Sequence, residues 1–148
     1  MPLPSLTSAG DLPLGVHSAT LREVLDRFGA GSRQRAAVAE RLERIYRMAR
    51  DTGHLARFVV FGSFVTESAD ANDVDVFLVM DDAFDGAKLR GEAALVFDHA
   101  AADAHFGASV FWVRRLAAIG GEQTTIEYWQ AKRGGGRRGI VEIVEETP

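Results

Sequence analysis

The chain contains no cysteine, so neither a disulfide framework nor a thiolate zinc site can hold it together. Proline is scarce, four residues in 148, and three of the four lie at positions 2, 4 and 13, which leaves the rest of the chain free to build regular structure. No apolar run approaches the ~20 residues of a membrane-spanning helix, so no membrane contact is expected. The start, Met1-Pro2-Leu3-Pro4-Ser5, has neither the basic residues nor the apolar stretch of a secretory leader, and a cytoplasmic protein is the expectation. There is no Gly-Lys-Ser/Thr loop, which excludes a P-loop nucleotide hydrolase. His17, His54, His99 and His105 show no metal-ligand spacing. A net charge of −4 argues against a surface that grips nucleic acid throughout, while leaving room for a local basic patch.

What is present is the composition of an ordinary globular domain, 47% hydrophobic and 26% charged. Residues 1–15 read as an irregular arm and residues 16–148 as a single domain. Thr20-Leu21-Arg22-Glu23 matches a capping box, predicting a short helix over 21–28 that stops at Gly29. Val38, Leu42, Ile45 and Ala49 recur at helical spacing and predict a longer helix over 33–50. The apolar runs at 57–61 and 74–80 are too short for stable helices and read as strands buried on both faces. An alanine-rich helix is expected over 87–104 and a third strand over 108–113. Periodicity leaves 124–131 open between helix and strand, and 139–144 reads as a last, partly exposed strand. The expected class is α+β or α/β, a mixed sheet with helices packed against it.

Within this frame the most informative feature is Asn72-Asp73-Val74-Asp75-Val76, a pair of carboxylates at the head of the second apolar strand. Residues i and i+2 of an extended chain project from one face, so both acids can address one point. Like charges so placed repel unless a cation joins them, and hard oxygen ligands with open positions suit Mg²⁺ carrying a polyphosphate. Upstream, Phe61-Gly62-Ser63 ends the first apolar strand. Gly62 would let a phosphate approach the backbone, and Ser63 is expected both to cap a following helix and to contact that phosphate. Taken alone, Asp-x-Asp more often marks a solvated strand end.

The composite of apolar strand, Gly-Ser, polar connection and Asp-x-Asp strand resembles the active-site motif of the DNA polymerase beta-like nucleotidyltransferase superfamily. Further stretches, among them Leu12-Pro13-Leu14-Gly15-Val16-His17 and Arg138-Gly139-Ile140-Val141-Glu142-Ile143, are similar to small bacterial nucleotidyltransferase-like proteins. The resemblance implies a minimal nucleotidyltransferase fold. It also implies transfer of a nucleoside monophosphate from a nucleoside triphosphate to a hydroxyl on RNA, protein or a small molecule. Asp73 and Asp75 would be catalytic residues and metal ligands, Gly62 and Ser63 would bind nucleotide, and two Mg²⁺ ions would assist catalysis, or a single ion where the third acid is lacking. Such minimal proteins often occur in toxin–antitoxin pairs, so a cognate protein partner or a homo-oligomer is compatible with the resemblance. A third carboxylate is expected on the next core strand, and Ser109 stands there instead. Asp103 and Glu127 are the candidate substitutes. Serine is a poor metal ligand beside a carboxylate and no general base, which sets a weak or inactive nucleotide-binding or partner-binding module against the enzyme.

The run Lys132-Arg133-Gly134-Gly135-Gly136-Arg137-Arg138 concentrates positive charge. It reads as a solvated loop, or as a contact to RNA or a triphosphate tail. Beside it, Tyr128 and Trp129 offer base stacking, although core packing is the commoner fate of a tryptophan in an apolar segment.

Overall fold

The computed structural model describes residues 3–145; the first two residues of the expected arm and the last three of the chain lie outside these. Five strands form one mixed sheet in the order β1-β5-β2-β3-β4, where β1 is Val16–Ala19, β2 Leu55–Phe61, β3 Val74–Met80, β4 Ala108–Arg114 and β5 Ile140–Ile143. β1 pairs parallel with β5 and β3 parallel with β4, while β2 runs antiparallel to both β3 and β5. The class expected from sequence, helices against a mixed sheet, is the one observed.

Strand alternation assigns the two faces of the sheet. Phe58 and Val60 of β2, Val76 and Leu78 of β3, and Val110 of β4 point into the main core. That core is covered by α1 (Leu21–Phe28), α2 (Arg33–Asp51), α3 (Glu92–Val96) and α4 (His99–Phe106). Val24 and Phe28 of α1 and Val38, Leu42, Ile45 and Ala49 of α2 are the buried stripes, at the spacing read from the sequence. Thr20 and Glu23 make the expected reciprocal cap, and Gly29 closes α1.

The opposite face carries Val59, Phe77, Val79 and Ile140, and it is covered by α5 (Glu122–Tyr128) through Ile126 and Trp129. Arg57 of β2 anchors the start of that helix: it donates to Glu142 at 2.7 Å and lies 3.6 Å from Glu122. A helix of seven residues cannot roof a five-stranded sheet. The end of this face bearing Phe61, Asp75, Ser109 and Phe111 is left as the floor of a cleft.

Several expectations are corrected. The single helix over 87–104 is broken into a 3-10 turn (Gly86–Lys88), α3 and α4. Gly91 takes φ 64° ahead of α3, and Asp98 caps α4 by accepting from the Ala101 N–H, so local chemistry divides a run that composition joined. The ambiguous segment is the helix α5. β1 was not expected, because four residues with one buried side chain carry no periodic signal. The last strand is not partly exposed: it is flanked by β1 and β2, with Ile140, Val141 and Ile143 buried. No helix among the described residues is long and apolar enough to cross a membrane.

Candidate functional site

β2 ends at Phe61 and β3 begins at Val74, so the antiparallel pair brings the Gly62-Ser63 bend and the Asp73–Asp75 segment to the same end of the sheet. Asp75 is in register with Phe61 on one side and Ser109 on the other, which sets Phe61, Asp75 and Ser109 in a row across the sheet. Gly62, Ser63, Asp73, Asp75 and Ser109 line one cleft of about 560 Å³. All the residues picked out for the site are therefore brought together.

Gly62 has φ 81°, in the left-handed region, and its α-carbon faces the Asp75 carboxylate so closely that any Cβ would overlap it. Ser63 is corrected in part. It opens a single 3-10 turn, Ser63–Val65, whose cap position is Gly62, so Ser63 caps no helix. Its carbonyl accepts from the N–H and the hydroxyl of Thr66, and its own hydroxyl has no hydrogen-bond partner among the described residues.

Charge concentration is the site's main electrostatic property. Burial, and then the neighbouring Asp73, push the Asp75 carboxyl up to about 6, while the Ser109 hydroxyl and the more distant Arg133 and Arg138 oppose the rise. Among the described residues neither aspartate makes an ion pair, although Lys132, Arg133 and Arg138 line the same cleft. Lys132 and Arg138 are held elsewhere, by Asp11 at 2.6 and 3.5 Å. Neither acid is thus neutralised by a cation of the cleft.

The segment carrying these cations is ordered. Ala131 and Arg137 bridge across a tight hairpin, and the Lys132 N–H donates to the Gly136 carbonyl. The arm straps it in place. Gly15 N–H donates to Gln130 Oε1 at 2.7 Å, Gly139 N–H donates to the Leu12 carbonyl, and Glu67 N–H, in the loop below the Gly-Ser bend, donates to the Gly10 carbonyl.

The donor set defines what cation it suits. Asp73, Asp75 and the Ser109 hydroxyl offer hard oxygens, appropriate to one Mg²⁺ that completes its shell with phosphate oxygens and water. No group of three or more His, Asp or Glu that could hold a metal by itself occurs among the described residues, so any ion here would need ligand or water oxygens to complete its shell. The candidate substitutes for a third acid are both elsewhere. Asp103 lines a separate groove between α2 and α4, and Glu127 is an exposed residue of α5 that accepts from Gln123.

Three contributors escape sequence reasoning. Phe111 follows Ser109 by two residues on one strand face, a signal available from alternation alone. Asp11 gives no local signal. Arg35 sits in the first turn of α2, where the helix dipole disfavours a cation. Its guanidinium donates to four backbone carbonyls, those of Phe28 and Phe64 at 3.1 and 2.9 Å and those of Thr66 and Ser68 at 2.7 Å each. It thereby ties the loop after Gly62-Ser63 to the helical layer.

No curated protein and no solved structure shows a significant match to the chain. One family, described as a family of unknown function, matches residues 4–144, nearly the whole length. The chain therefore belongs to the family of unknown function DUF6932.

Proposed function

We propose that this protein is a nucleotidyltransferase of the DNA polymerase beta-like superfamily, moving a nucleoside monophosphate from a nucleoside triphosphate to a hydroxyl acceptor. The observation that carries this reading is the convergence of two unpaired aspartates, a glycine with no room for a Cβ, and a wall of cations in one cleft. A polyphosphate fits such a divided site, since its anionic oxygens meet cations on one side and share a metal with the acids on the other.

One Mg²⁺ held by Asp73 and Asp75 would supply charge neutralisation at the phosphates. The remaining work falls to the chain. Gly62 lets the Asp75 carboxylate close onto the bend, Ser63 contributes an unpartnered hydroxyl to the cleft lining, and Lys132, Arg133 and Arg138 draw the leaving end of the triphosphate away from the acids. The acceptor hydroxyl attacks the α-phosphorus, the bond to the bridging oxygen breaks, pyrophosphate departs and the hydroxyl proton passes to solvent. The acceptor is a hydroxyl of RNA, protein or a small molecule. Since nucleoside triphosphates are the currency of the cytoplasm, that compartment follows from the same proposal.

A second reading is favoured by Ser109, which stands in register with Asp75 where the superfamily resemblance calls for a carboxylate. On that reading the cleft binds magnesium nucleotide without turnover.

Incubation of the purified protein with Mg²⁺ and each α-labelled nucleoside triphosphate, with tRNA and lysate proteins as acceptors, separates the two. Label transfer and pyrophosphate release that vanish in Asp73→Ala and Asp75→Ala support transfer. Calorimetric binding with no pyrophosphate release supports the second reading. Transfer that survives both substitutions rejects the site.

A further inference from the structure

The cleft has an end that the phosphate chemistry does not use. Phe111 lies about 7 Å along β4 from Ser109 and on the same face, so its ring stands beside the carboxylate end of the floor. Trp129 is 4.9 Å from it, inclined by 33°, and Tyr128 meets Trp129 edge-on at 5.4 Å. Trp129 belongs to the second core, where it packs on Phe61 and Phe77 at 4.5 and 5.3 Å. Phe111 and Tyr128 are different: they are 36% and 69% exposed, and the Tyr128 hydroxyl has no hydrogen-bond partner among the described residues. Phe111 packs on Trp129 and on His99 at 4.8 Å with one face of its surroundings open, and Tyr128 projects into the cleft beside it.

We propose that these rings form the platform for the nucleobase and that the platform accepts any of the bases; this rests on the nucleotide reading given above. The second half follows from what the wall lacks. Discriminating among bases requires side-chain donors and acceptors aimed at their edges. The nearest amide, Gln130, is buried and committed, its Oε1 to the Gly15 N–H and its Nε2 to the Glu127 carbonyl. The Trp129 indole N–H is buried and cannot reach a ligand. The carboxylates and serine hydroxyls of the cleft stand at the phosphate end. The polar groups left at the platform are the Tyr128 hydroxyl and the His99 ring, 4.8 Å from Phe111. Each can donate or accept, so neither singles out one base edge, and stacking, which tolerates every base, favours the larger purine ring.

Calorimetry with Mg²⁺ and non-hydrolysable analogues of ATP, GTP, CTP and UTP, alongside inorganic tripolyphosphate, tests the platform. The four analogues should bind within about fivefold of one another, purines tighter, and tripolyphosphate about tenfold more weakly than the ATP analogue. In Tyr128→Ala, an exposed site whose truncation leaves the fold intact, and in Phe111→Ala, the gap between the ATP analogue and tripolyphosphate should close. Tripolyphosphate binding as tightly as the ATP analogue to the unaltered protein overturns the platform while leaving the phosphate site standing. A preference of about a hundredfold or more for one base overturns its tolerance. Failure of every triphosphate to bind removes the nucleotide reading itself.

Discussion

Oδ2 of Asp75 rests against the α-carbon of Gly62, so that a Cβ built there would overlap the oxygen and lie 3.1 Å from the carboxyl carbon. The bend and the acid are therefore one fitted unit. Gly62→Ala meets two costs, the left-handed φ of 81° and the collision. Together they should destabilise the protein by about 2–3 kcal/mol and push the Asp75 carboxylate from its position. Replacing Asp75 by alanine relieves only the collision. Chemical denaturation of the two single variants and the double variant should give a favourable coupling of roughly 1 kcal/mol. Strict additivity would mean that the two residues do not touch.

Titration of Asp75 gives a pH dependence with a definite sign. Its carboxyl, ordinarily at 3.8, stands at about 6 because of burial and the adjacent Asp73. The native state holds this proton more tightly than the unfolded chain. Its stabilising contribution is therefore fully present below about pH 4 and is lost as the pH rises through about 6. Asp75→Asn removes that loss and should stabilise the metal-free protein at pH 7.5 by roughly 2 kcal/mol, with little change at pH 4. Addition of Mg²⁺ should raise the melting temperature of the wild type and not of the variant. An equal response of the two proteins to Mg²⁺ would place the cation away from Asp75.

Arg35 is the brace of the loop that follows Gly62-Ser63, donating to the Phe28 carbonyl at the end of α1 and to the Phe64, Thr66 and Ser68 carbonyls of that loop. Burial lowers its pKa, yet the group stays charged, because arginine does not lose its proton in a folded protein. Lysine has one nitrogen and three donors and cannot span the same set. Arg35→Lys should cost about 2–3 kcal/mol, and Arg35→Met more, with the freed carbonyls left unsatisfied. Hydrogen exchange should accelerate first at Thr66, whose N–H closes the 3-10 turn onto Ser63. Protection unchanged at Thr66 would show that the turn holds itself.

Much of this architecture is legible in the sequence because it is local. The Thr20–Glu23 cap, the stripe of α2 and the apolar runs of β2 and β3 each contain their own cause within a few residues. The acids and the Gly-Ser bend are legible for the same reason, since one connection joins their strands. What is not legible depends on distant partners. β1 exists because β5 offers it an edge, and Asp11 is part of the site because Lys132 and Arg138 reach it from more than a hundred residues away. The split of the helix expected over 87–104 lies between, written in Gly91 and Asp98 but hidden by alanine content. The sequence shows a serine at 109, on the strand where the resemblance implies an acid. Only the register with Asp75 shows where it stands.

That register makes Ser109→Asp the most discriminating change. An aspartate there would face Asp75 across the parallel β3–β4 pair, adding a third like charge to a site already raised in pKa by burial and by Asp73. Without metal the variant should be less stable than the wild type at pH 7.5 by about 1–3 kcal/mol, and the deficit should shrink as the pH falls and the carboxyls take up protons. With Mg²⁺ the sign reverses, because three hard oxygens hold the ion better than two and binding to the native state is stabilisation. The rise in melting temperature on adding Mg²⁺ should therefore exceed that of the wild type. If the protein is a transferase weakened by its serine, pyrophosphate release should rise with it, and if the cleft only binds nucleotide, the thermal response should change while release stays at background. A variant as stable as the wild type without metal, and no more responsive to Mg²⁺, would mean that position 109 does not face the cation at all.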